Sequence, residues 1–162
     1  MKQILTIGFL FLLGCGFFPE KVSRDDPQVQ EMLKAAAAFD RTAYGFLPIE
    51  PDADFRIETA PKGRYDAMLH VHARTSRTIA FRRMGKGYRW IGEQEIFWGT
   101  KQYTTEDGTF FEELVLNYDI ENVSGNPTNQ LNISYSGEDP RLAQKRNLTL
   151  AEVQPILKEW HY

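Results

Sequence analysis

His70 and His72 stand two residues apart, a spacing that places both imidazoles on one face of a strand and that metal sites use. A zinc or copper ion would need a third ligand, and Asp66 and His161 are the available candidates. Without one, the pair reads as two partly solvated histidines on the open face of a sheet. Glu93 and Glu95 share the same spacing and offer either an acid and a base or, with Arg82 and Arg89 in reach, two salt-bridged carboxylates. The second reading is the expected one. The chain holds no Gly-x-Ser-x-Gly elbow, no His-Glu-x-x-His and no phosphate-cradling loop, and Gly85-Lys86-Gly87 is only a turn. No enzyme and no cofactor are expected.

Charge is the more informative pattern. Arg74, Arg77, Arg82, Arg83, Lys86 and Arg89 fall between Ala67 and Gly92 with no acidic residue among them. From Glu93 to Asn126 the sign reverses, with Glu93, Glu95, Glu106, Asp107, Glu112, Glu113, Asp119 and Glu121 against Lys101 alone. Neighbouring hairpins of opposite sign predict cross-strand ion pairs, each contributing a few tenths of a kcal/mol to about 1 kcal/mol when exposed. They also suggest a basic hairpin facing an anion, whether lipid head groups, an anionic envelope polymer or an acidic protein. Aromatics crowd the same stretch: Tyr88, Trp90, Phe97, Trp98, Tyr103, Phe110 and Phe111. Alternation lets only half of them point inward from any strand, so Trp90 and Trp98 join the six cations as candidate partner-binding residues.

The elements that must position these residues follow from period and punctuation. Asp26-Pro27 opens a helix, with Asp26 as N-cap and Pro27 in the first turn. Val29, Met32, Leu33, Ala36 and Ala37 form its apolar stripe, and its end is expected near Arg41. Pro48, Pro51 and Pro61 interrupt the next stretch, leaving a connector with one short edge strand at Phe55–Thr59. Beyond Gly63 the period is two, with Tyr65, Ala67, Leu69, Val71 and Ala73 inward. Further strands are predicted at Thr78–Met84, Tyr88–Trp98 with a bulge at Gly92, Gln102–Thr104, Phe110–Glu121 and Leu131–Tyr135. Thr149 and Glu152 form a capping box with Leu148 and Val153 as its staple, and Pro155 predicts a kink or a broken first turn in the final helix.

The result is an α+β domain: an antiparallel sheet of about five to seven strands with an N-terminal helix and a short C-terminal helix. In outline this is similar to cystatin-like or nuclear-transport-factor-like folds, in which a curved sheet cradles a helix, and a closed β-barrel with the helices outside is the alternative. The chain has 162 residues, 42% hydrophobic and 25% charged, one cysteine and a net charge of -3. That composition suits a single domain and excludes a disulfide scaffold, a disordered tail or a multi-pass membrane protein.

The first residues carry an address. Met1-Lys2 precedes an apolar run from Ile4 to Leu13 and then Gly14-Cys15, the layout of an export signal. At 1.5 Å per residue the run is about 15 Å long, roughly half a bilayer's hydrocarbon thickness. Leu12-Leu13-Gly14-Cys15, holding the only cysteine, resembles the lipobox of bacterial lipoproteins. The resemblance implies cleavage before Cys15 and a covalent lipid on it. Gly16, where an aspartate would retain such a protein, implies sorting to an outer membrane, facing the periplasm. Residues 1–14 are then a signal peptide, 15–24 a lipidated tether and 25–162 the domain. Three Asn-x-Ser/Thr patterns, at Asn122, Asn132 and Asn147, are chance matches in that setting.

The expected function is therefore that of a membrane-anchored envelope lipoprotein whose domain binds a macromolecular partner as an inhibitor, assembly factor or scaffold. A metal-binding domain built on His70 and His72, and a carrier of a small apolar ligand, are the alternatives. Nucleic acid is excluded by compartment and by net negative charge.

Overall fold

The computed structural model of the chain describes residues 19–59, 66–121 and 127–162. Its frame is one seven-stranded antiparallel sheet whose strands lie side by side in chain order. The strands are β1 (Lys21–Val22), β2 (Asp54–Thr59), β3 (Ala67–His72), β4 (Ser76–Met84), β5 (Gly87–Thr105), β6 (Gly108–Glu121) and β7 (Pro127–Ser136). Two α-helices, α1 (Pro27–Ala37) and α2 (Leu150–Glu159), complete a mostly-sheet architecture. Among the described residues β1 pairs only with β2 and β7 only with β6, so the sheet is open and the barrel alternative fails.

The placement of the first helix differs from expectation, because a strand precedes it. Lys21 and Val22, expected as free tether, pair with Arg56 and Phe55. β2 is thereby flanked on both sides and is not an edge. The cap is as predicted: the Asp26 carboxylate accepts from the amides of Gln28 at 2.8 Å and Val29 at 3.3 Å. The helix stops at Ala37 instead of near Arg41, and a short 3-10 helix follows at Arg41–Tyr44. The early stop lets Phe39 turn back against Trp90, with ring centroids 4.4 Å apart.

β4 and β5 are both longer than their sequence signals. β4 begins at Ser76, and β5 runs unbroken through Gly99 for 19 residues where two separate strands were expected. Gly99 is not a turn; it is a close approach, since a Cβ there would lie 2.7 Å from the Trp160 ring and 2.9 Å from the Glu112 Cβ. The predicted bulge exists beside Gly92. Ala80 faces Gly92 while Phe81 faces Trp90, so Ile91 is the extra residue. α2 carries its capping box, with Leu148 and Val153 buried, and it continues through Pro155 as α-helix, without the predicted break.

Both helices contribute to the core on one face of the sheet. Val29, Met32 and Ala36 of α1 and Val153, Ile156 and Leu157 of α2 join Phe55, Leu69, Val71, Ile79, Phe81, Phe97, Leu114 and Leu116 in a single buried cluster. On the opposite face the strands present His70, Thr78, Gln94 and Asn117, which the register places side by side, the polar outside of a half-buried antiparallel sheet.

Candidate binding surfaces

The eight residues expected to form one basic and aromatic patch do not lie together. Arg77 is in the core, 2% exposed. Its guanidinium meets the Glu95 carboxylate at 2.8 Å and donates to the carbonyls of Leu47 at 2.5 Å and Pro48 at 3.3 Å. Trp90 is likewise core, 3% exposed and stacked on Tyr118 with centroids 5.6 Å apart. Its indole NH has no partner among the described residues. Arg74 donates to the backbone carbonyl of His161 and lies over the Tyr162 ring. Trp98 sits on β5 nine residues beyond Arg89, about 30 Å away at 3.3 Å per strand residue.

Four cations remain grouped at the β4–β5 turn. Arg82 and Arg89 clasp Glu121 of β6 at 2.7 and 3.1 Å, an ion-pair triad joining three strands. Arg83 and Lys86 are exposed, the former folded over the Tyr88 ring with its centroid 5.4 Å away. Met84, 56% exposed, lies between them. The hairpin is thus a basic tip with an apolar centre.

The expected cross-strand ion pairs between the basic and acidic stretches are present, as Arg77 with Glu95 and Arg82 and Arg89 with Glu121, but the two glutamates of β5 have partners other than those expected. Glu93 and Glu95 are salt-bridged to Arg41 and Arg77, not to Arg82 or Arg89. Arg41 grips Glu93 with both Nε and Nη2 at 2.5 Å. Glu95 also accepts from Thr75 Oγ1 at 2.6 Å and from the Leu47 amide at 3.1 Å. Burial dominates at this carboxyl: despite Arg77 and the hydrogen bonds, it is pushed up to about 7. Arg41, Arg77, Glu93 and Glu95 are all buried and paired with one another, which fits a structural network. Arg41 has no signal in its local sequence, but the inward position of the other three does: Arg77 alternates with Ile79 and Phe81, and both glutamates alternate with Phe97.

His70 and His72 lie on the outer face in a groove with Pro19, Arg56 and Glu58. His70 Nε2 is 3.0 Å from Glu58 and its Nδ1 3.2 Å from Thr78 Oγ1, while His72 Nδ1 is 3.1 Å from Ser76 Oγ. Neither proposed third ligand joins them. Asp66 accepts from the Arg83 amide at 2.8 Å, and His161 is next to the C-terminal residue, by Arg74. Among the described residues no three His, Cys, Asp or Glu side chains converge on a cation position. The space between α1 and the sheet, where an apolar ligand would sit, is occupied by Val29, Met32, Phe46, Trp90 and Tyr118.

The remaining exposed apolar side chains lie at the other end of the sheet from the basic tip. Trp98 is 40%, Phe110 44% and Phe111 53% exposed. β4 leaves β5 at Ile96 and β7 leaves β6 at Glu113, so the ends of β5 and β6 continue as a two-stranded ribbon that carries Phe110 and Phe111, with Trp98 at its base opposite Glu113. Tyr103 and Phe110 oppose one another on it, with centroids 5.9 Å apart.

Cys15 and the whole signal region lie outside the described residues, and no helix of the described residues is long and apolar enough to cross a membrane. No family model, no characterised protein and no solved structure matches the chain.

Proposed function

We propose that the chain is a bacterial envelope lipoprotein, lipidated at Cys15 and held at the outer membrane facing the periplasm, whose domain binds a macromolecular partner and catalyses no reaction. The basic tip takes an anionic partner, an envelope protein or an anionic envelope polymer. One observation carries this reading: Arg83 and Lys86 are exposed beside an exposed Met84 at the turn, and neither is engaged as Arg77 is by Glu95 or Arg82 and Arg89 are by Glu121. Surface arginines beside an apolar centre suit a contact in which charge steers and burial holds.

Two measurements test it. Radiolabelled palmitate should enter the full chain and be lost in Cys15→Ala. Crosslinking of the lipidated protein in cells should capture one dominant envelope component, and Arg83→Glu with Lys86→Glu should abolish that capture at an unchanged Tm. Arg82 is better left in place, because its loss would also open the contact with Glu121. Unchanged capture by the double variant would remove the basic tip from the assignment.

A further inference from the structure

We propose that the ribbon made by the far ends of β5 and β6 is a second docking site, and that it takes a protein whose contacting surface is basic and aliphatic. The ribbon spans Gly99–Glu112 beyond the last pairings of β4 and β7, and extends about 17 Å at 3.3 Å per residue pair. A two-stranded ribbon is marginal alone in water, yet this one is braced at its base. Trp160 packs on Gly99, the Tyr162 hydroxyl donates to the Trp98 carbonyl at 3.2 Å, and the Tyr135 hydroxyl donates to Glu112 at 2.6 Å. Burial and the Glu112 carboxylate both push the Tyr135 phenol up, so it stays a proton donor at that contact. A rigid base holding a projecting tip is preorganised for binding, because little ordering remains to oppose association.

The tip's chemistry selects the partner. Strand alternation places Phe110 on the face that carries Leu114 and Leu116, and Phe111 on the opposite face with Glu113. Exposed phenylalanines on both faces cannot be buried by this domain's own sheet. Phe110 keeps 44% of its surface in water even against Tyr103, and Phe111 keeps 53% on the other face, so the tip offers apolar surface to a partner that reaches around its end. Glu106 and Asp107 at the turn and Glu113 at the base outnumber Lys101, so the surrounding field is negative and a basic partner surface is favoured.

Position separates this site from the membrane. By register, Pro19 lies beside the Glu58 end of β2, while the ribbon leaves the opposite end of β5. Four strand spacings and the length of β5 put the tip roughly 40 Å from Pro19. In an anchored chain the tip therefore lies at the end of the sheet remote from the point where the tether enters the domain. The proposal rests on the lipoprotein reading only for that orientation; the surface chemistry stands without it.

The test places a photoreactive benzoylphenylalanine at Phe111, and separately at Lys86, in the full chain in cells. The captured protein is then produced and titrated calorimetrically. The expected result is a protein that crosslinks from Phe111 and not from Lys86, through a segment of net positive charge with aliphatic residues. Phe110→Ser with Phe111→Ser should weaken its binding about tenfold or more at unchanged Tm. Glu106→Lys with Asp107→Lys should weaken it several-fold and flatten its response to salt between about 50 and about 500 mM. Crosslinks to a second copy, to residues 1–18 of the same chain, to lipid alone or to an acidic segment would overturn the proposal. So would no crosslink, or unweakened binding by the serine variant. Palmitate label missing from Cys15 with ribbon binding intact would remove the anchored reading alone.

Discussion

Glu95→Gln is the most informative single change, because two forces act on that carboxyl with opposite signs. Arg77 at 2.8 Å favours the ionised form, while complete burial favours the neutral one. Burial prevails, and the group moves from 4.5 to about 7. A folded value above the unfolded one means that between these limits the native state holds a proton that the unfolded chain has lost. Stability therefore falls as pH rises through that window and is level on either side. The displacement corresponds to roughly 3 kcal/mol as an upper value. A neutral, isosteric glutamine lacks this dependence. It also leaves Arg77 with acceptors, since the Leu47 and Pro48 carbonyls remain and Glu93 is 3.9 Å away. Urea unfolding followed by tryptophan fluorescence at pH 5, 6, 7 and 8 should show the wild type losing stability with rising pH and the glutamine variant losing much less. At pH 8 the variant should equal or exceed the wild type. A wild type that gains stability from pH 5 to 8 relative to the variant would refute the reasoning, because the ion pair would then outweigh burial.

Arg77→Met should cost about 3–5 kcal/mol in the same assay at pH 8, where the wild-type Glu95 is ionised and loses its counter-charge, and less at pH 5, where Glu95 is already protonated, whereas Arg83→Glu with Lys86→Glu should stay within about 0.5 kcal/mol. Gly92→Ala should destabilise by about 1–3 kcal/mol, because its Cβ would lie 2.9 Å from the Tyr118 carbonyl, which belongs to backbone and yields little. At α2, Lys145 first and then the Thr149 amide and hydroxyl hold the Glu152 carboxyl down at about 2. Its contribution is complete above the unfolded value of 4.5 and is lost as pH falls through about 2, so Glu152→Ala should lower Tm at pH 7 and by much less at pH 2, where the carboxyl is half protonated.

Sequence pattern carried the elements whose signals are local. The Asp26 cap, the Thr149–Glu152 box, the turn at Gly85–Gly87 and the inward set Ala67, Leu69 and Val71 are all where their residue types place them. Misreadings arose where a residue's reason is tertiary. Gly99 resembles a strand break, yet it is small because Trp160 needs the space. The run of like charge from Arg74 to Arg89 resembles a surface, but a charge run on a strand is divided by alternation. Because β4 begins at Ser76 and not at Thr78, Arg77 falls within the strand and has the parity of Ile79 and Phe81. Glu112 interrupts an apolar set for the same reason: it is inward, 5% exposed, and satisfied by Tyr135. The candidate partner surface was consequently legible as composition and not as a place.

Two anomalies of the sequence explain one another. The stretch around Pro48 and Pro51 cannot join a ladder, yet Phe46 is 2% exposed, so this irregular backbone lies against the core with polar groups that need partners. Inward positions of β4 and β5 carry charges where apolar residues would be cheaper to bury. Arg77 meets the carbonyls of Leu47 and Pro48, Glu95 meets the Leu47 amide, and Arg24 donates to the Glu50 carbonyl at 3.0 Å. The buried arginine and glutamate stand in for the ladder that the prolines forbid, and Arg41 with Glu93 completes their charge balance. An apolar replacement of all four charges would resolve the electrostatics and leave that backbone unpaired, which is the physical reason for a core of this size to hold two ion pairs.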